Sequence, residues 1–313
     1  MWSLSFPTGT LAALAFSVAW PAAGAAEALM PPAYLPGREY VIRSTQHAET
    51  VVGVSGEVQA KQVADIELEV RSVCQISKTA ANLRDVAIEL TAMKMNVRLG
   101  GVEMSYDSRE PKSGETVLGQ TFRHLVGKSF SVTLDEAGAI VATQGMEQFA
   151  VSDNLLAQQF GPEQLKQIAT PALRLGFPAT GAAMGQGWKQ EREISLGPDQ
   201  KLVASFDVRY ARDELLENRP HGVIEYGANI DADLQAAAGK DAKTNVQIRK
   251  GRLNGAMSID KELRFPRSGM AMSSMTMTLP NPANPKETIE LPAEQNMSFE
   301  LLSTRKLGLF ERP

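Results

Sequence analysis

The stretch Ala64-Asp65-Ile66-Glu67-Leu68-Glu69-Val70-Arg71 alternates apolar and charged residues without a break, and Cys74 and Ile76 prolong the apolar set. A period of two puts every second side chain on one side of an extended chain, so this stretch reads as a half-buried antiparallel strand with a charged outer face. The next run opens in the same way, with Val86, Ile88 and Leu90 against Ala87 and Glu89. Past Ala92 the apolar positions become Met93, Met95, Val97 and Leu99, so one residue has entered the period. A slip of this kind marks a β-bulge, or a strand whose two ends face opposite sides of the sheet.

Outward from these two strands the same pattern dominates. Gly100-Gly101 supplies a turn, and Phe130, Val132 and Leu134 lead through Asp135-Glu136-Ala137-Gly138 into Ile140-Val141 as a hairpin. Between Gly145 and Trp188 the period changes to three and four, which predicts a helix over about 162–170, running at most to 175 because Pro171 interrupts it. Alternation resumes at Leu202, Ala204, Phe206, Val208 and Tyr210, and again from Ile224 to Leu234. Gln235 to Lys243 reads as a short exposed helix or a loop. Leu253, Gly255, Met257 and Ile259 follow, then Met270 and Met272, then Met275, Met277 and Leu279 out of phase with them. A second irregularity is therefore expected at Ser273 or Ser274. Met297, Phe299 and Leu301 form the last strand.

The fold class is mainly β: long antiparallel strands in two similar curved sheets or half-barrel modules, or in one large curved sheet, with a short helical segment between the halves. The expected organisation is a signal peptide over 1–25, a flexible mature N-terminus over 26–37, a first β module over 38–145, a helical and loop connector over 146–188, a second β module over 189–306 and a tail over 307–313. Shared features of the two halves, such as a Met-bearing strand with a phase slip in each, are compatible with a diverged repeat.

Residues 1–25 hold no Lys, Arg, Asp or Glu, and Leu11 to Ala23 is an apolar run of signal-peptide length that ends in Ala23-Gly24-Ala25, the small-x-small pattern of a cleavage site. The run lacks a basic residue before it, so either the amino terminus supplies the charge or the true start lies upstream. Export to a periplasmic or extracellular space is expected, with no stable membrane span in the mature chain. The single cysteine, Cys74, excludes an intramolecular disulfide. Thirty-two Lys and Arg against 36 Asp and Glu, a net charge of −4, give no basic stripe for nucleic acid.

The Met-Lys-Met element at 93–95, Gly-Gly-Val-Glu-Met-Ser-Tyr-Asp-Ser-Arg at 100–109, Gly-Lys-Ser-Phe-Ser-Val-Thr-Leu-Asp at 127–135 and the Gly-Gln-Gly-Trp turn at 185–188 together resemble a family of secreted bacterial β-rich proteins classed as a domain of unknown function. The resemblance spans about residues 38–306. It implies export and a mainly antiparallel fold, and it supplies no catalytic residues. Gly187 stands where that family usually carries an acidic residue. More distantly, the architecture is similar to the half-barrels of periplasmic lipoprotein and lipid carriers.

Chemistry-bearing residues are sparse. His47, His124 and His221 lie far apart, share no metal-ligand spacing and read as surface or turn histidines. No nucleophile elbow or dinucleotide loop is present, so no cofactor, metal or catalytic residue is predicted. The methionine runs suit either soft-metal ligation or an adaptable apolar lining, and the absence of His or Cys within them favours the lining. Asp231 and Asp233 read as a solvated acidic face. The expected role is noncatalytic binding of a lipid or other apolar small molecule in a cavity between sheet and helix, lined by Met93, Met95, Leu165, Ile168, Leu173, Met275 and Met277. The alternatives are a packed scaffold that binds envelope proteins, or an enzyme with a site assembled from distant residues. N-terminal sequencing of exported protein should begin near Ala26; a start at Met1 would contradict the signal peptide.

Overall fold

The structure, a computed structural model, describes residues 28–54, 58–149, 175–197, 200–237, 243–280 and 287–308. Twelve strands follow one another: β1 (Arg38–Val54), β2 (Val58–Ile76), β3 (Arg84–Leu99), β4 (Val102–Asp107), β5 (Ser129–Leu134), β6 (Ile140–Gln144), β7 (Gly187–Gly197), β8 (Gln200–Leu216), β9 (Arg219–Ala237), β10 (Lys243–Asp260), β11 (Phe265–Pro280) and β12 (Thr288–Lys306). One short helix, α1 (Val117–Phe122), lies between β4 and β5. Of the two arrangements left open by the sequence, the chain adopts the single sheet. Its order is β6-β5-β3-β2-β1-β12-β11-β10-β9-β8-β7, with β4 also on β3. Every pair in the sheet is antiparallel, and among the described strands the only neighbours from opposite ends of the chain are β1 and β12.

Period-two alternation sorts the sheet into an apolar and a polar face. On the apolar face, Ala64, Ile66, Leu68, Val70 and Cys74 of β2 join Val86, Ile88, Leu90, Met93, Met95 and Val97 of β3 in one core. Leu118 and Phe122 of α1, with Leu125, Met146 and Phe149, cover them. The Thr116 hydroxyl caps α1 by accepting from the Gly119 N–H at 3.1 Å, which satisfies one of the otherwise unpaired amides of the first turn. A second core forms on the same face of the other half from Phe206, Val208, Tyr210, Ile224, Ile230, Ile248 and Met257, beneath Leu29, Leu175 and Ala182.

The slip in β3 is a bulge. Pairing with β2 passes from Leu90–Val70 to Ala92–Glu69, leaving Thr91 as the extra residue. One inserted residue restores the face, so Leu90 and Met93 point into the same core. The Thr91 hydroxyl donates to the Glu69 carbonyl at 3.0 Å. On the other edge of β3, β5 pairs with 84–89 and β4 with 94–99. The gap between them is closed by Leu90 N–H to the Lys128 carbonyl at 3.1 Å, Gly127 N–H to the Leu90 carbonyl at 2.8 Å and Met93 N–H to the Ser108 hydroxyl at 2.9 Å. The backbone groups interrupted by the bulge thus recover partners.

The second slip has a different cause. β11 pairs with β12 without interruption from Ser268 to Pro280, so no bulge occurs in β11 at Ser273 or Ser274. Met270 and Met272 therefore face opposite to Met275 and Met277. The irregularity lies in the neighbouring β10, where both partners shift register between Ile248 or Arg249 and Gly251 or Arg252. Lys250 adopts a left-handed φ of 55° there, and its N–H donates to Asp231 Oδ1 at 3.3 Å, which gives Asp231 a structural use. A Cβ on Gly251 would come within 2.6 Å of the Ile230 carbonyl, so the bulge needs glycine.

Residues 28–37, expected to be a flexible lead-in, are instead anchored: Leu29 is buried in the second core and Tyr34 in the first. Tyr34, Tyr40 and Phe265 stack with ring centroids 4.3–5.1 Å apart on the apolar side of the β1–β12 seam. Burial of Tyr34 and Leu29, together with the backbone bonds Leu29–Ala182 and Ala33 to the Arg264 carbonyl, anchors the segment. The helix expected over 162–170 lies outside the described residues, as does the signal peptide.

On the polar side of the seam, Glu39 of β1 receives Arg305 Nε of β12 at 2.8 Å and Arg71 NH2 of β2 at 2.6 Å. The hydrogen bonds from Arg305, assisted by Arg71, hold its carboxyl below the usual glutamate range against the opposing effect of burial. A depressed pKa gives stability that is fully present above about pH 4.3, the ordinary glutamate value, and is lost as pH falls through the lower folded value. Glu39→Gln should cost about 2 kcal/mol at neutral pH and flatten the acid limb of stability; urea unfolding from pH 7 to pH 3 reads both.

Candidate functional site: a transverse groove on the polar face

Directly opposed residues of an antiparallel ladder share a face, so register fixes which side chains meet across the sheet. One row runs Lys94 (β3), Glu67 (β2), Thr45 (β1), Ser298 (β12) and Met270 (β11). The neighbouring row runs Asn96, Asp65, His47, Asn296 and Met272 over the same strands. Together these residues border a groove of about 550 Å3 whose wall is mostly carbon. That size falls within the usual range of small-molecule sites.

The charged end of the groove is largely paired. His47 Nδ1 lies 2.6 Å from Asp65 Oδ1, and Nε2 lies 3.5 Å from Glu49. The bond to Asp65, followed by Glu49, holds the His47 imidazole above its usual value. Arg43 Nε stands 3.5 Å from Glu67, and the hydroxyls of Thr45 and Ser298 meet at 2.6 Å. Lys94 is exposed and has no ion-pair partner among the described residues. At the opposite end, Met270 and Met272 are each 58% exposed, two thioethers at alternate positions of one strand.

The same two rows continue over the rest of the sheet. Ala256, Glu225, Arg209 and Gly187 extend the first, and Asn254, Gly227, Asp207 and Lys189 extend the second. A second groove of about 550 Å3 lies on these rows, bordered by Gly227, Asn254 and the pairs Arg209–Glu225, at 2.8 Å, and Lys189–Asp207, at 3.6 Å.

The residues expected to line a cavity are placed differently. Met93 and Met95, 1% and 2% exposed, are packed in the first core. Met275 and Met277 are half-buried against the second core. The two pairs sit in separate cores, and Leu165, Ile168 and Leu173 lie outside the described residues. Sequence reading missed Lys94 and His47 as groove residues and, although it marked the run containing Met270 and Met272 as an apolar lining, did not separate these two from Met275 and Met277; the four groove residues meet only through the register of five strands. One local signal was present: Met270 and Met272 are at even positions, Met275 and Met277 at odd ones.

Other reactive groups are occupied. Cys74 is buried, donates to the Tyr34 carbonyl at 3.7 Å, and is pushed up to about 12 by burial, so its thiol stays protonated. His124 is exposed. His221 differs from the surface reading: it is buried, with Nδ1 2.9 Å from the Arg219 carbonyl and Nε2 3.9 Å from Asp260. Among the described residues no group of three His, Cys, Asp or Glu is placed to hold a metal ion. Met270 and Met272 share the groove with His47, whose nitrogens already face Asp65 and Glu49. Among the described residues no helix is long and apolar enough to cross a membrane.

An open antiparallel sheet with two packed cores on its apolar face and a grooved polar face thus defines the class of protein. Within it, the chain belongs to a family of unknown function, DUF6263, whose model matches residues 81–265. No curated protein matches the chain. Among solved structures, it is similar to one titled for lipid–protein interactions in lipovitellin, at 11% identity and TM-score 0.49, over 90% of this chain and 27% of that one. The chain therefore spans about a quarter of lipovitellin. Weaker likenesses are to DynF from the dynemicin biosynthesis pathway of Micromonospora chersina (10% identity, TM-score 0.20, 90% of each chain) and to a DUF1329 family protein from Desulfovibrio piger (7%, 0.20, 86% of this chain and 87% of that one).

Placement also separates the methionines energetically. Met93→Ala should cost about 2–5 kcal/mol through lost burial and the cavity it leaves. Met270→Ser with Met272→Ser should stay within about 0.5 kcal/mol per site, because these side chains are in water. Denaturant midpoints of the two variants give the comparison.

Proposed function

We propose that the protein is an exported, noncatalytic binder that holds an amphipathic, acyl-chain-bearing ligand in the groove of its polar face. The observation that carries this reading is the placement of two exposed thioethers at one end of a groove and, at the other end, of an ammonium that has no ion-pair partner among the described residues. Met270 and Met272 offer flexible, polarizable apolar contact suited to a hydrocarbon chain. Lys94, at the other end of its row, offers a cation for a carboxylate or phosphate head. His47, held toward its charged form by Asp65, stands on the neighbouring row. Exposed large apolar side chains gathered in a groove are what a ligand-binding surface requires, whereas isolated ones need no explanation.

Each methylene withdrawn from water contributes roughly 0.8 kcal/mol at full burial, so an open groove that buries a chain partly still gives useful affinity. Export rests on the apolar leader and cleavage pattern of residues 1–25. The direct test is titration of the purified protein with a fluorescent fatty acid. Saturable binding is expected, with at least a tenfold loss in Met270→Asp with Met272→Asp and a similar loss in Lys94→Glu. No uptake by the wild type, or uptake indifferent to both variants, would remove the groove as the binding surface and leave a protein-binding scaffold as the better account.

A further inference from the structure

We infer that the two grooves are one site, in which the second groove receives the far end of a single long acyl chain whose head group sits at Lys94. This inference rests on the reading of the first groove given above. Its basis is the continuity of the two rows. Both grooves lie on the same pair of rows, and Asn254, directly opposite Met272 across β10 and β11, borders the second groove.

The charge pattern along these rows selects the occupant. Across β12, β11 and β10 the rows carry Ser298, Asn296, Met270, Met272, Ala256 and Asn254, with no ionisable group. Ionisable side chains flank this neutral stretch at both ends. On one side, beyond the pairs Arg43–Glu67 and His47–Asp65, lies Lys94, which has no ion-pair partner among the described residues and can take an anionic head. On the other, Arg209–Glu225 and Lys189–Asp207 are already paired and so offer no preferred counterion to a second head group. Gly227 leaves the row open just before those pairs. The pattern fits a molecule with one anionic end and one uncharged end.

Length gives a second constraint. From β3 to β9 the rows cross six strand spacings of about 4.8 Å, or roughly 29 Å. The reach of the Lys94 side chain takes about 6 Å of this, leaving about 23 Å. Carbon–carbon bonds of about 1.5 Å in a zigzag advance about 1.25 Å each, so a chain of roughly 18 to 19 carbons would end at Gly227. A chain of about 12 carbons would stop on Met270 and Met272, and an 8-carbon chain short of them, both within the first groove.

The test is displacement of a fluorescent fatty acid by unlabelled saturated fatty acids of 8, 12, 16 and 18 carbons. Affinity for the wild type should rise with length to 16 or 18 carbons. Asn254→Glu places a charge in the neutral stretch, and Gly227→Leu fills the far groove. A Cβ at Gly227 first meets the Asn254 side-chain tip at 2.8 Å, which can move aside. Either variant should leave the 8-carbon acid within twofold of wild type and weaken the 18-carbon acid tenfold or more. Two variants with different chemistry, each checked by its unfolding midpoint, keep a folding defect from deciding the result. Equal responses to length in variants and wild type would overturn the joined site. Failure of the wild type to bind even the 12-carbon acid with Met270 and Met272 intact, while longer acids bind unaffected by Lys94→Glu, would instead overturn the reading of the first groove.

Discussion

The pairing of β1 with β12 is the contact on which the rest depends. Among the described strands every other ladder joins strands of the same half, nearly all of them consecutive, so each half can grow largely as a meander from local turns. Only this ladder joins the two ends of the chain, and it must recover the entropy of closing a loop of well over two hundred residues. Thirteen opposed residue pairs, from Arg38–Lys306 to Thr50–Ala293, form it. Both faces are sealed at one end: Tyr34, Tyr40 and Phe265 on the apolar side, and Glu39 with Arg71 and Arg305 on the polar side. Without the seam the sheet would present two long open edges, a form prone to association.

The seam also creates the groove. Lys94, Glu67 and Thr45 belong to one meander, and Ser298 and Met270 to the other; their row exists only because β1 and β12 are held in register. The hydroxyl pair Thr45–Ser298 marks the join within the groove itself. A one-residue slip at this ladder would turn His47 and Thr45 to the apolar face and break both rows at once. Fold stability and the ligand recognition proposed for the groove would therefore share one structural element, flanked on the apolar face by the cores of the two halves.

Much of this was legible in the sequence where burial imposes alternation. β2, the first half of β3, β8 and β9 announce themselves because one face must be apolar. The bulge at Thr91 was legible for the same reason, since a core on one face cannot tolerate an uncorrected slip. β1 was less clear past Ile42, where Ser44, Gln46 and Ala48 face the same side as Ile42 and erase the contrast. At β11 the slip was visible but its cause was not: Met270 and Met272 belong to the polar face because β11 stays regular while β10 bulges. The groove could not be read at all, because its residues are distant in sequence and meet only through four successive ladders. Sequence reading accordingly gathered methionines by type, whereas the sheet sorts them by parity.

That sorting gives the most direct measurement of the account. With the methionine methyl groups labelled with carbon-13, a titration with a 16-carbon fatty acid can be followed by NMR at each site. The account predicts that the Met270 and Met272 methyl signals shift and saturate together, while those of Met93 and Met95, sealed in the first core, and of Met275 and Met277, on the opposite face, stay in place. Shifts at Met275 and Met277 with Met270 and Met272 unmoved would contradict it and put the ligand on the apolar face.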